Sequence, residues 1–188
     1  MYDQSRYFDN ALSRYYLKKG WATAQFSILR PLSELLIETI LAKEFPELQK
    51  HQVSCHAAHT KNNKVYPCGK CEKSRRIVGM LVAIGANPQK CGYSKAQITQ
   101  SLKDIPQRGV SQEGEGVKQL LYMLHKINKI DLPKKKSAQL KSYPEILNLR
   151  FHHDHSPLNT IPSELRKGLY KIYLKHAKGA LYFSERKW

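Results

Sequence analysis

Three of the chain's four cysteines and two of its eight histidines crowd into one stretch, Ser54 to Ser74, which reads SCHAAHTKNNKVYPCGKCEKS and runs directly into an apolar segment. No other feature constrains the fold as strongly. Two thiolates about one turn apart can grip a single ion, and an ion shared by separate segments fixes the chain around it. Cys68-Gly69-Lys70-Cys71 has this form, with Pro67 before it and a glycine at the second position that lets backbone amides turn toward the sulfurs. Cys55 lies upstream at a distance that an ordinary loop can close. A tetrahedral zinc needs one more ligand. His59 is the nearest candidate, with His56, Cys91 and a water as the others, so the expected ligand set is Cys55, His59, Cys68 and Cys71.

Other uses of these cysteines fit less well. A redox Cys-x-x-Cys belongs between a strand and a helix of a βαβ unit, without further Cys and His crowded beside it. Structural disulfides call for a secretory leader and a regular cysteine framework. The sequence shows neither, so a reduced, cytoplasmic setting is expected. Unligated buried cysteines are the plain alternative. Cys91 ranks below His59 because the helix expected over Gly69 to Gly85 is roughly 22 Å long. The chain from Gly85 to Cys91 would have to run almost straight back along it.

With 32 Lys and Arg against 15 Asp and Glu, the 188-residue chain carries a formal charge of +17. Such a surplus draws polyanions, whether nucleic acid, nucleotide phosphates or an acidic protein surface, although it is equally compatible with a merely solvated surface. No apolar run approaches the roughly 20 residues that span a bilayer, so no membrane partner is expected.

Periodicity predicts a mainly α fold with one or two short strands. A first helix over Tyr2 to Lys19 should bury Tyr7, Phe8, Leu12, Tyr15 and Tyr16; Trp21 to Leu29 reads as a strand. Pro31 should open a helix over Leu32 to Phe45. Further helices are expected over Gly69 to Gly85, from Ser94 to Leu102 and over Val117 to Ile127, with a polar loop from Pro106 to Gly116. Residues 131–141, DLPKKKSAQLK, read as a Lys-rich linker. A helix over Ser163 to His176 and a strand over Ala180 to Phe183 complete the chain. The expected organisation is a zinc-bearing helical domain over 1–130 with its metal loop at 54–74, the linker, and a docked segment over 142–188. Within that last segment His152, His153 and His155 flank Asp154. Such a group can ligate a metal or move protons, although neighbours on a strand point to opposite faces unless the chain bends.

Cys55, then Cys68-Gly69-Lys70-Cys71, then a three-residue step to an Arg-rich helix start, resembles the C-terminal zinc segment of PP-loop ATPase-type synthases, in particular the 7-cyano-7-deazaguanine synthase family. That family ends in Ser-Cys, a loop, Cys-Gly-x-Cys-x-x-Cys and Arg. Leu29-Arg30-Pro31-Leu32-Ser33 is similar to its Pro-Leu step upstream of the motif, and the likeness covers Trp21 to Gly79. It implies that the chain resembles the C-terminal region of an α/β enzyme in which four cysteines hold one zinc. The chemistry implied is ATP activation of a carboxylate followed by conversion to a nitrile with ammonia. Two departures stand out: Ser74 occupies the position of the fourth cysteine, and the nucleotide loop Ser-Gly-Gly-x-Asp-Ser is absent from this sequence. The expected role is therefore the substrate side of an adenylating site completed by a nucleotide-binding partner polypeptide, with Arg30, Lys70, Arg75 and Arg76 as anion contacts. The alternative is a non-catalytic, zinc-containing protein that binds RNA or DNA through its basic surface.

Overall fold

A computed structural model of the chain describes residues 5–53, 55, 57–184 and 188. It is mainly helical, with two small two-stranded sheets. Among the described residues, no helix is long and apolar enough to cross a membrane. The chain divides into two compact units, Glu34–Ile146 and Met1–Ser33 with Leu147–Trp188. The divisions thus fall elsewhere than in the expected 1–130, 131–141 and 142–188.

In the larger unit, α2 (Glu34–Glu44), α3 (Glu72–Ala83), α4 (Lys95–Arg108) and α5 (Gly114–Lys126) surround one apolar core, with α3 packed on the other three. Leu35 and Leu36 of α2, Val78 and Leu81 of α3, Ile105 of α4 and Leu120 and Leu124 of α5 are almost wholly removed from water. Burying one such side chain stabilises by about 2 kcal/mol. Gly79 permits close packing of α3 on α4: a Cβ there would lie 2.9 Å from the Ile105 terminal methyl. Between α2 and α3 the chain forms a 3-10 turn, Pro46–His51, and an antiparallel hairpin of β1 (His59–Lys61) and β2 (Lys64–Tyr66).

Helix boundaries depart from expectation where packing outweighs local signals. The α2 helix begins at Glu34, after Pro31, Leu32 and Ser33, all of which are buried. The α4 helix does not stop at Pro106 but runs to Arg108, because Ile105 sits in the core and only the last turn has to tolerate the missing N–H. A short exposed helix, α6 (Lys134–Ala138), forms within the expected linker.

The smaller unit joins α1 (Arg6–Lys18) to the C-terminal segment. There β3 (Leu149–Phe151) pairs in parallel with β4 (Ala180–Tyr182), in the register Leu149↔Ala180 to Phe151↔Tyr182, and α7 (Ser163–His176) makes the crossover that parallel pairing requires. Two hydrogen bonds seat the early chain on this segment, from the Arg150 amide to the Pro31 carbonyl (2.9 Å) and from the Tyr173 hydroxyl to the Ile28 carbonyl (2.9 Å). Two expectations fail here. Trp21 to Leu29 forms no strand: the Gln25 amide donates to the Ser13 hydroxyl (2.9 Å) of α1 instead of to a neighbouring strand. The buried residue of α1 is Asp9, while Tyr7 and Tyr15 face water, because the Asp9 carboxylate receives the Gln25 amide (3.0 Å) and the Arg30 guanidinium.

Among the described residues, one buried acid of the larger unit lacks a cation of its own. Glu38 on α2 is 5% exposed, one of its oxygens accepts from the Gln52 side-chain amide, and the other has no hydrogen-bond partner among those residues. Burial pushes its carboxyl up to about 7; the Gln52 bond pulls the other way, Glu34 adds to the rise and Arg76 opposes it. A carboxyl raised on folding contributes its full share of stability below its unfolded value and loses it as pH climbs through the folded one. Glu38→Gln should therefore gain stability over wild type as pH rises from 5 to 8, by about 2–3 kcal/mol. Urea unfolding of both proteins at the two pH values measures this, and parallel pH profiles would refute it.

Candidate metal centre

The site begins with backbone geometry. After buried Pro67, the chain turns through Gly69 at φ +68°, a left-handed conformation that suits glycine. The turn aims the amides of Lys70 and Cys71 at the Cys68 sulfur, each at 3.4 Å. Cys71 then caps α3, its sulfur accepting from the Ser74 amide at 3.4 Å. The loop is also held from α4. There Ser94 and Gln97 close a capping box, and the Gln97 side-chain amide donates to the Cys68 carbonyl at 3.3 Å.

Cys55 completes a group of three. Its sulfur lies 3.5 Å from that of Cys71, and the sulfurs of Cys55, Cys68 and Cys71 all fall within 4.8 Å of one another. The thiols are free, and a disulfide would need about 2.05 Å. The edge of a tetrahedron around one ion at an ordinary metal–thiolate distance is roughly 3.8 Å. These residues could hold a metal ion. Burial alone would raise the Cys68 thiol, but the Lys70 amide, the Cys55 thiol, the Cys71 amide and the Ser74 hydroxyl together bring it down to about 6. Burial and the neighbouring thiols hold Cys55 above its ordinary value. Cys68 is thus prepared to ionise ahead of Cys55, and the thiolate is the form that ligates a metal.

The fourth side of the cluster is taken by Ser74. This serine is fully buried, and its hydroxyl lies 3.4 Å from the Cys71 sulfur and 3.7 Å from that of Cys68. Tyr93, 3% exposed, lies beside Ser74 and the cysteines, and burial raises its phenol. Sequence reasoning did not find Tyr93. It stands just before α4, and only the packing of α4 on α3 brings it to the cluster.

The remaining candidates lie elsewhere. His59 is outside the cluster: in β1 it is exposed, registered opposite Tyr66 and stacked on that ring at 5.9 Å. His56 lies outside the described residues. Cys91 is buried, donates to the Gln52 side-chain oxygen (3.5 Å), and is pushed up to about 12 by burial and by Glu38, with Lys90 opposing, so it stays a neutral thiol. The proposed anion contacts are mostly engaged within the fold. Arg30 pairs with Asp9; Arg75, 8% exposed, donates to the carbonyls of Lys70 (3.2 Å) and Gly109 (3.4 Å); Arg76 donates to Glu34 (3.3 Å) and the Ser111 carbonyl (2.6 Å). Lys70 alone of the four is exposed.

A second group of ligand-type atoms, from His152, His153 and Asp154, also lies within 4.8 Å. A turn between the bridge partners His152 and Ser156 supplies the bend that a strand would not. The His152 Nδ1 closes this turn by accepting the amides of Asp154 (3.0 Å) and His155 (3.4 Å), and His153 Nε2 pairs with Asp154 (2.9 Å). This accounts for the cluster as a turn lock.

Comparison with protein-family models, with curated proteins and with solved structures finds no match.

Metal analysis of the purified protein should find about one ion per chain. Cys68→Ser should lose it and melt at a markedly lower temperature, since binding and folding are coupled in such sites. His59→Ala and Cys91→Ser should both retain it. Equal metal content in all four proteins would show that the three sulfurs do not form the site.

Proposed function

We propose that this chain is the zinc-bearing, substrate-side portion of an ATP-dependent adenylating enzyme similar to the 7-cyano-7-deazaguanine synthases, completed by a nucleotide-binding polypeptide. One observation carries this: the residue at the place of that family's fourth cysteine, Ser74, points its hydroxyl at two of the three sulfurs. The geometry is that of a four-ligand site with one thiol exchanged for a hydroxyl. Cys55, Cys68 and Cys71 would hold the zinc, with water or Ser74 completing it. Bound there, zinc supplies structural cross-linking, neutralising the thiolates and tying the hairpin to the start of α3. The chain's own residues then provide a rigid wall: Arg75 binds the Cys68–Cys71 loop to Gly109, and Lys70 remains at the surface for an anionic substrate. Thiols that must stay reduced suit the cytoplasm.

The charge of +17 favours a second role, a non-catalytic zinc protein that binds RNA or DNA. The two separate experimentally. Production of AMP from ATP and a purine-like carboxylate, only when the chain is mixed with a polypeptide carrying Ser-Gly-Gly-x-Asp-Ser, supports the enzyme. Binding to nucleic acid of arbitrary sequence that weakens steeply with salt, without AMP production, supports the second. Ser74→Cys should restore a fourth thiolate and slow zinc loss to a chelator at least tenfold. Unchanged release would remove the support drawn from Ser74.

A further inference from the structure

The larger unit carries a cleft of about 720 Å³ between the hairpin and the 3-10 turns Pro46–His51 and Pro88–Cys91, lined in part by Lys50, His51, Lys64, Tyr66, Gln89 and Lys90. A second cleft shares Tyr66 and Gln89 with it and continues along His59, Ser94 and Gln97. Among the described residues, neither lining contains an aspartate or glutamate, and Lys50, Lys64 and Lys90 are exposed with no carboxylate partner. Three uncompensated ammonium groups around one concavity concentrate anions there.

The hairpin adds the other half of the chemistry. Its register sets His59 opposite Tyr66 and Lys61 opposite Lys64, so these four side chains share one face. The two rings lie 5.9 Å apart and 24° from parallel. Asn62 and Asn63, at φ 51° and 57°, form a tight two-residue turn that holds both strands in this register. An aromatic ring beside lysines is the arrangement on which a base stacks while its phosphate is neutralised, and glutamine amides can meet the base edge.

We propose that this cleft binds a nucleotide, with phosphate at Lys50, Lys64 and Lys90 and the base against Tyr66. Where the nucleotide belongs to a strand, the assignment deepens the nucleic-acid-binding role and rests on it. The metal centre and the cleft are neighbours for a topological reason. Cys55 and Cys68 flank the hairpin, and the approach of their sulfurs closes its feet.

The test uses fluorescence anisotropy with a labelled single-stranded RNA of mixed sequence, at several salt concentrations. Replacing Lys50, Lys64 and Lys90 together by Ala should weaken binding at least tenfold. The slope of log K against log salt should become shallower by about 2, at roughly 0.7 per phosphate contact. The same charge change at Lys134, Lys135 and Lys136 on α6 should leave affinity within about twofold. Tyr66→Ala should weaken binding roughly fivefold or more without changing the slope, and Tyr66→Phe should restore it. Melting curves and zinc content of each variant verify that the fold is intact, and a Gln version of the triple variant replaces the Ala version if that one melts early. Competition by free nucleoside triphosphate names the source: displacement at micromolar concentration indicates a free nucleotide, and none at millimolar concentration indicates a strand. Equal losses in both triple variants would overturn the cleft while leaving nucleic-acid binding intact. Wild-type protein that binds neither RNA nor nucleotide would overturn both.

Discussion

The larger unit depends on the first turn of α3, where three sulfurs meet and the most deeply packed helix begins. Helix N-termini present unsatisfied amides and a partial positive charge, and thiolates are well matched to both. Cys71 uses this directly, capping α3 with its sulfur. Cys68 reaches the same end through two amides of a turn that glycine permits. Cys55 arrives from the far side of the hairpin, so the cluster joins an exposed element to the core. A two-stranded hairpin is marginal in water by itself. Here its two ends are gathered at the sulfurs, and one strand runs through Pro67 into the metal loop.

The charged residues divide by role within each unit. Arg30, Arg75 and Arg76 turn inward and serve backbone carbonyls or carboxylates of the fold. Their planar, multidentate heads can satisfy several buried acceptors at once, which a lysine ammonium cannot do as well. Lysines carry the outward surplus, and those around the hairpin cleft are the ones brought into a concave setting. A net charge of +17 says little about where an anion binds; a concavity lined with lysine and free of carboxylate is a far narrower statement.

Much of this was legible in the chain. Helical periodicity located α5 and α7 closely, because each has an apolar face repeating at 3.6 residues, and a long apolar run after the cysteines located α3. The Cys-x-x-Cys spacing and the upstream Cys55 pointed to three sulfurs that the structure gathers. Other features were not legible. Pro106 marks a helix end by local rules, yet burial of Ile105 carries α4 beyond it. Trp21 to Leu29 has β-forming residues, but a strand needs a neighbour, and α1 offers this segment a serine hydroxyl instead. The aromatic spacing of α1 suggested a buried face, whereas the ion pair and hydrogen bonds of Asp9 turn that residue inward.

The order of residues by itself determined where most of the long helices form and which side chains are chemically able to ligate, because propensity, capping and thiol spacing are properties of neighbouring positions. Only the tertiary structure decided which of those side chains meet. It placed Ser74 rather than His59 against the sulfurs, brought Tyr93 behind them, and joined residues 1–33 to the C-terminal segment. Such contacts depend on how helices and strands distant in the chain pack together, and that is settled by the burial of whole faces, not by any local pattern.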